Sequence, residues 1–227
     1  VNAAEMAGGF AVTGTSAPGA TVEVTIQSVT HSVVTGADGT WVANFSAGEL
    51  PQGTYDATVT AITVDGAGNG SSATGTFQVD TDGQVSITSE HGGADGVINQ
   101  AEHGSGLLVT GTTEPGSTVV VQLGSQSVNA TVHPSGAWTA SFAAGQIPTG
   151  TYMTTLTATT TDGAGNVQTA SQSVNVDTEA GSLTLNAAGI GGDGTINAAE
   201  AAAGVAVTGT ADPGAVVAVS LGGVVHN

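Results

Sequence analysis

Residues 152–176 read YMTTLTATTTDGAGNVQTASQSVNV. In the first half Tyr152, Thr154, Leu156 and Ala158 fall on one face, and Thr155, Thr157 and Thr159 on the other. In the second half Val174 and Val176 alternate with Ser173 and Asn175. A period of two residues belongs to a half-buried antiparallel strand, whose successive side chains point to opposite faces. Between the halves, residues 162–166 are Asp-Gly-Ala-Gly-Asn. Gly and Asn reach positive φ, and Asp and Asn bond their own backbone, so this stretch predicts a tight turn. The whole predicts a long antiparallel hairpin.

The same hairpin occurs earlier in the chain. Tyr55 matches Tyr152, the turn Asp65-Gly66-Ala67-Gly68-Asn69 matches 162–166, and Val79-Asp80-Thr81-Asp82 matches Val176-Asp177-Thr178-Glu179. Other landmarks repeat with it: Trp41 and Trp138, Pro18-Gly19, Pro115-Gly116 and Pro213-Gly214, and Thr13-Gly14-Thr15 with Thr110-Gly111-Thr112 and Thr208-Gly209-Thr210. Val1-Asn2-Ala3-Ala4-Glu5 returns as Ile98-Asn99-Gln100-Ala101-Glu102 and Ile196-Asn197-Ala198-Ala199-Glu200. The offset is 97 residues between the first two copies and 98 to the third. That exceeds a solenoid repeat of about 20–50 residues and equals one β-sandwich domain of about 100.

The complete copy holds seven strand candidates, at 84–88, 107–112, 118–123, 127–132, 137–142, 152–160 and 167–176. Trp138 and Phe142 share one face of the fifth and anchor the core. Strand number, spacing and repeat length predict an all-β chain of tandem seven-stranded Greek-key sandwiches. The expected domains are 1–79, a first repeat lacking its first strand; 80–178, complete; and 179–227, the N-terminal part of a third. The chain reads as a window cut from something longer.

The 227 residues include no Lys, no Arg, no Cys and 18 Asp plus Glu, for a formal charge of −18. Nothing in such a chain neutralises phosphate, so nucleic acid is excluded as a partner. Disulfides and thiolate sites are excluded as well. No apolar run is long enough to cross a bilayer, so membrane insertion is not expected. Acids that cluster cannot find an intrachain Lys or Arg; they are solvated, protonated or held by a cation. An oxygen-only donor set suits a hard cation, Ca2+ first.

Strand order sorts the acids. An antiparallel seven-strand unit puts the entering linker, Asp80 and Asp82, at the same pole as the turn bearing Asp162 and Asn166. Glu114 belongs to that pole, and Asn2 and Glu5 of the preceding copy lie below it. The exit pole gathers Asp95, Asn99, Glu102, Asp177 and Glu179. Each junction thus collects oxygens toward the six to eight that Ca2+ prefers. The same Asp-Gly and Asp-x-x-Gly-Asn stretches are also ordinary turn chemistry.

Taken in order, Thr-Gly-Thr, Pro-Gly, Gly-x-Trp, Gly-Thr-Tyr, Asp-Gly-Ala-Gly-Asn and Val-Asp-Thr resemble the bacterial immunoglobulin-like (BIg) repeats of giant type I-secreted adhesins and biofilm-associated surface proteins. The resemblance implies immunoglobulin-like sandwiches that act as an extracellular extender. It also implies calcium near the linkers, neighbouring repeats of the same chain as partners, and adhesion residing in other domains. At about 3.3 Å per residue, a ten-residue strand with its loops lengthens the chain by about 30–40 Å per domain.

Catalysis is not expected. His31, His91, His103, His133 and His226 are scattered, no Gly-x-Ser-x-Gly elbow occurs, and the acids recur in every copy rather than forming one site. Two other functions stay open. One is a subunit of an extracellular filament or surface layer, whose ends are completed by other copies. The other is a glycan- or receptor-binding module, which predicts loops that differ between copies; the identical 65–69 and 162–166 turns speak against it.

Overall fold

The computed structural model describes residues 1–65, 67–89 and 96–226. The chain divides into two compact units, Val1–Asp177 and Thr178–Asn227.

The first unit contains two sandwiches. The first sandwich consists of helix α1 (Ala3–Gly8) and strands β1 (Phe10–Thr15), β2 (Thr21–Ile26), β3 (Val29–Val34), β4 (Thr40–Phe45), β5 (Thr54–Val64) and β6 (Gly70–Asp80). Its sheets run β1-β4 and β3-β2-β5-β6. The second sandwich begins with β7 (Val85–Ile87), β8 (Val97–Asn99) and α2 (Gln100–Ser105). It continues with β9 (Leu107–Thr113), β10 (Thr118–Leu123), β11 (Gln126–Asn129), β12 (Thr131–Val132), β13 (Ala137–Phe142), β14 (Thr151–Thr161) and β15 (Val167–Asp177). Its sheets run β12-β13-β9-β7 and β11-β10-β14-β15-β8. The chain is therefore made of tandem immunoglobulin-like β-sandwiches.

The predicted alternation fills the core. Leu156 and Ala158 on β14, Val174 and Val176 on β15, and Trp138 and Phe142 on β13 are all buried. Trp138 lies across the glycine of Thr-Gly-Thr: a Cβ at Gly111 would collide with its ring and with the Ser86 carbonyl of β7. The two sheets are also joined by hydroxyls. Thr113 Oγ1 on β9 lies 2.8 Å from Thr160 Oγ1 on β14, and each has a backbone carbonyl in reach, Gln84 at 2.9 Å and Thr118 at 3.1 Å.

Both Gly-Thr-Tyr sequences make the same corner. Tyr55 Oη donates to the Pro51 carbonyl at 2.8 Å, and Tyr152 Oη to the Pro148 carbonyl at 2.7 Å. This ties the start of the long hairpin to the loop before it. Tyr152→Phe is expected to lower the stability of the second repeat by about 1 kcal/mol, the net worth of one hydrogen bond. Urea unfolding of the two proteins checks this, and superimposable curves would show that the corner contributes nothing.

Two expectations need correction. The strand expected at 127–132 is broken. β11 pairs with β10 in one sheet and β12 with β13 in the other, so the chain changes sheets at Ala130. The Ala130 N–H still bonds the Val119 carbonyl at 2.9 Å. Residues 97–105, where no strand or helix is expected, hold a strand and a helix. β8 runs parallel to β15, with Ile98 opposite Val176. The helix forms because Asn99 and Glu102 make a capping box, as do Asn2 with Glu5 and Asn197 with Glu200. An Asn followed three residues later by Glu is a sequence signature of a helix start.

The second unit comprises β16 (Leu183–Leu185) paired with β17 (Gly209–Ala211), helix α3 (Ala198–Ala203), and β18 (Val219–Leu221) paired with β19 (Val224–His226). Among its described residues no apolar side chain is buried, and Leu183 and Leu185 are exposed.

Candidate functional site

The site is built on a turn that forms by itself. In the second repeat Asp162 Oδ1 accepts the N–H groups of Ala164 at 2.9 Å and Asn166 at 2.8 Å, while Asn166 Nδ2 donates to Asp162 Oδ2 at 2.8 Å. The first repeat makes the same three bonds: Ala67 N–H and Asn69 N–H to Asp65 Oδ1, and Asn69 Nδ2 to Asp65 Oδ2. Gly68 and Gly165 take φ of 89° and 92°, which a side chain resists. Each turn is thus set by local chemistry.

What differs is the neighbour. Asn69 is exposed, whereas Asn166 is only 5% exposed. Asn166 Nδ2 reaches the linker, donating to the carbonyls of Asp80 at 2.8 Å and Asp82 at 3.2 Å. Its Oδ1 accepts the N–H of Ala3, in the first repeat, at 2.8 Å. Asn2 reaches back across the same boundary, its Nδ2 donating to the Ala164 carbonyl at 3.1 Å while its Oδ1 caps its own helix. Gly83 lies against Asn166 and Gln168, where a Cβ would press on Gln168 Cγ at 2.9 Å.

The predicted residues distribute as follows. Asp80, Asp82, Asp162 and Asn166 come together at the junction of the first and second repeats, but the two linker aspartates meet Asn166 through their carbonyls. The Asp80 carboxylate accepts Thr54 Oγ1 at 2.9 Å, and Asp177, its equivalent, accepts Thr151 Oγ1 at 2.7 Å. Asn99 Oδ1 accepts the N–H groups of Ala101 and Glu102, and Glu102 Oε2 accepts the N–H of Asn99, so these two side chains serve the helix start. Asn99 stands opposite Asp177 in the β8–β15 register. Asp95 lies outside the described residues, and Glu179 belongs to the second unit. Among the described residues, no three His, Asp or Glu side chains converge closely enough to hold a metal ion.

The acids at the first junction nevertheless sense one another. Burial pushes the Glu114 carboxyl above its usual range, and the charges of Asp80, Asp162 and Asp82 push it further. Burial also pulls Asp162 up. Hydrogen bonds from the Asn166 side chain and from the N–H groups of Asn166, Ala164 and Gly165 outweigh that and hold it below its ordinary value. The donor chemistry therefore fits a hard divalent cation: it is all oxygen, its charges repel, and the chain has no Lys or Arg to offset them.

Sequence reasoning missed the Ala3 N–H, Gly83 and the second task of Asn2. No local signal marks the first two, because the Ala3 N–H acts across the boundary and Gly83 packs on residues far along the chain.

The family model for the bacterial Ig-like domain matches residues 9–81 and 83–178, and the chain belongs to that family. Three of the solved structures that resemble it are of adhesins or adhesion proteins. A Ca2+-stabilized adhesin that helps an Antarctic bacterium reach out and bind ice is 32% identical, with a TM-score of 0.46, covering 93% of this chain and 54% of that one. A 1.5-MDa bacterial ice-binding adhesin is 26% identical, with a TM-score of 0.47, covering 99% and 77%. A tetra-tandem repeat in the extending region of a large adhesion protein is 22% identical, with a TM-score of 0.40, covering 79% and 48%. The chain thus spans about half the length of the first and third. No curated protein matches it. Among the described residues no helix is long and apolar enough to cross a membrane.

Proposed function

We propose that this chain is a structural extender segment of a secreted bacterial surface adhesin or biofilm matrix protein, working by spacing rather than catalysis, and stiffened by Ca2+ at its repeat junctions. The observation that carries the reading is the boundary within the first unit: the first and second repeats meet through specific hydrogen bonds beside a group of acids, not through a bare linker. The partners of each repeat are its neighbours in the same chain. The Antarctic adhesin is described as Ca2+-stabilized; for this chain the proposal rests on its own junction. Asp80, Asp82, Glu114 and Asp162 would supply the negative charge for the ion, and their carboxylates would have to draw together around it, since among the described residues no three converge on one point.

Extracellular calcium modules bind at about 10⁻⁴–10⁻³ M. At tenfold excess of ion over its dissociation constant, each occupied site adds about 1.4 kcal/mol. Glu114 gives a test in which the sign changes. Its raised pKa means that the ionised form is disfavoured in the folded state, so stability falls as pH rises through that value. Glu114→Gln is therefore expected to raise the melting temperature in chelator at neutral pH, and to reduce the further rise that calcium brings to the parent protein. Melting and small-angle scattering profiles of the parent that are the same in calcium and in chelator would sink the calcium proposal.

A further inference from the structure

We propose that Asn166 is a metal-independent bolt that fixes the orientation of the second repeat on the first. The extender reading supplies the consequence of this inference; the geometry stands apart from it. Every polar atom of the Asn166 side chain is engaged. Nδ2 serves the Asp80 and Asp82 carbonyls and Asp162 Oδ2, and Oδ1 takes the Ala3 N–H. One side chain thus touches three separate pieces of chain: the first repeat, the linker and its own turn. None of these bonds involves a metal.

The first repeat provides an internal control. Asn69 has the same sequence context and makes the same bonds to its own aspartate, yet it is exposed. The intra-turn bonds thus do not require a neighbour, and the boundary bonds are an addition to a turn already formed. Preorganisation makes the bolt effective, because the Asn166 rotamer is held by Asp162 before the first repeat reaches it. Burial makes it specific. In a packed boundary that kept Asn166 buried but misplaced Ala3 and the linker carbonyls, its Oδ1 would lose its donor and its Nδ2 two of its acceptors, so such orientations are disfavoured. Calcium and the bolt then act on the same boundary by different means, charge neutralisation and hydrogen bonding.

The chain has no Cys, so Ser32→Cys in the first repeat and Ser173→Cys in the second, both at exposed strand positions, accept a pair of spin labels cleanly. Inter-label distances are measured by pulsed electron resonance in chelator and in calcium. In chelator the doubly labelled protein is expected to give one narrow distribution, Asn166→Ala a broad one, and Asn69→Ala the narrow one again. Ala3→Pro is the second variant. It removes only the N–H that Asn166 accepts, at the first helical position, where proline is tolerated and the extended Asn2 backbone before it suits proline. It leaves the second repeat's own sequence intact and is expected to broaden the distribution as well. A distribution in chelator that stays narrow in both Asn166→Ala and Ala3→Pro overturns the bolt. So does a doubly labelled parent already broad without calcium. The calcium proposal fails separately, if adding calcium changes neither the distribution nor the melting of any of these proteins.

Discussion

Gly111→Ala is expected to destabilise the second repeat by about 3 kcal/mol, the upper part of the usual range for overpacking a core. The added methyl has nowhere to go. On one side it meets the indole of Trp138, which is 1% exposed, and on the other the Ser86 carbonyl of the neighbouring strand β7. A ring can rotate or slide, but a carbonyl paired into a sheet cannot yield without moving the strand. The equivalent substitution Gly14→Ala is expected to be milder, because the atoms nearest the methyl there all belong to the ring of Trp41 rather than to a backbone. Trp138→Ala, which empties the same space, is expected to lower stability by about 3–5 kcal/mol. In the double substitution the two effects are expected to fall short of their sum, since the methyl then fills part of the cavity. The first and second repeats have one tryptophan each, Trp41 and Trp138. Urea unfolding followed by fluorescence, in a background where the other tryptophan is phenylalanine, therefore reads the glycine variants one repeat at a time; Trp138→Ala and the double variant, which lack the probe, are followed by circular dichroism. A Gly111→Ala protein as stable as Gly14→Ala would show that the Ser86 contact is relieved at no cost.

Asp162→Ala is the second large expected effect, a loss of about 2–3 kcal/mol. The carboxylate accepts two backbone N–H groups and the Asn166 amide; a hydrogen bond to a charged group is worth about 1.5–3 kcal/mol net, and water entering the emptied turn re-pairs part of what is lost. Its removal unmakes the turn and frees the side chain that bridges the repeats, so stability and boundary order should fall together. The pH dependence has a definite sign. The folded-state pKa of Asp162 is depressed, so its contribution is complete above the unfolded value near ~3.9 and is lost as pH falls through the folded one. Acid titration of the parent should show a loss of stability that begins below about pH 4 and is diminished in Asp162→Ala. Glu114 acts in the opposite direction, its raised pKa returning some stability as it protonates. An acid titration that is identical in the parent and in Asp162→Ala would show that the turn does not rely on the charged carboxylate.

Much of the fold was legible because its causes are local or repeated. Alternation in 152–160 and 167–176 places Leu156, Ala158, Val174 and Val176 inside, and a strand's two faces follow from its covalent geometry alone. The 97-residue offset reveals the tandem organisation without any structural information. Residues 127–132 were less legible, since their alternation is compatible with one straight strand; the break at Ala130 depends on which sheet each half meets. Residues 97–105 were legible in principle. Asn99 and Glu102 are oxygen donors near other acids, which suggests ion ligands, and their spacing of three is also that of a capping box, which the helix forms.

The turn 162–166 divides the two kinds of information most clearly. Sequence by itself determined that Asp-Gly-Ala-Gly-Asn is a turn, that it occurs twice, and that it lies at the same pole as Asp80 and Asp82. All of this follows from backbone preferences and strand order. Only the tertiary structure decided that Asn69 is exposed while Asn166 is buried against Ala3, Asp80 and Asp82. The two turns are the same five letters, so nothing within them can encode the difference. It arises from the surface each one meets, and hydrogen bonds between residues more than 80 positions apart exist only once the chain has folded.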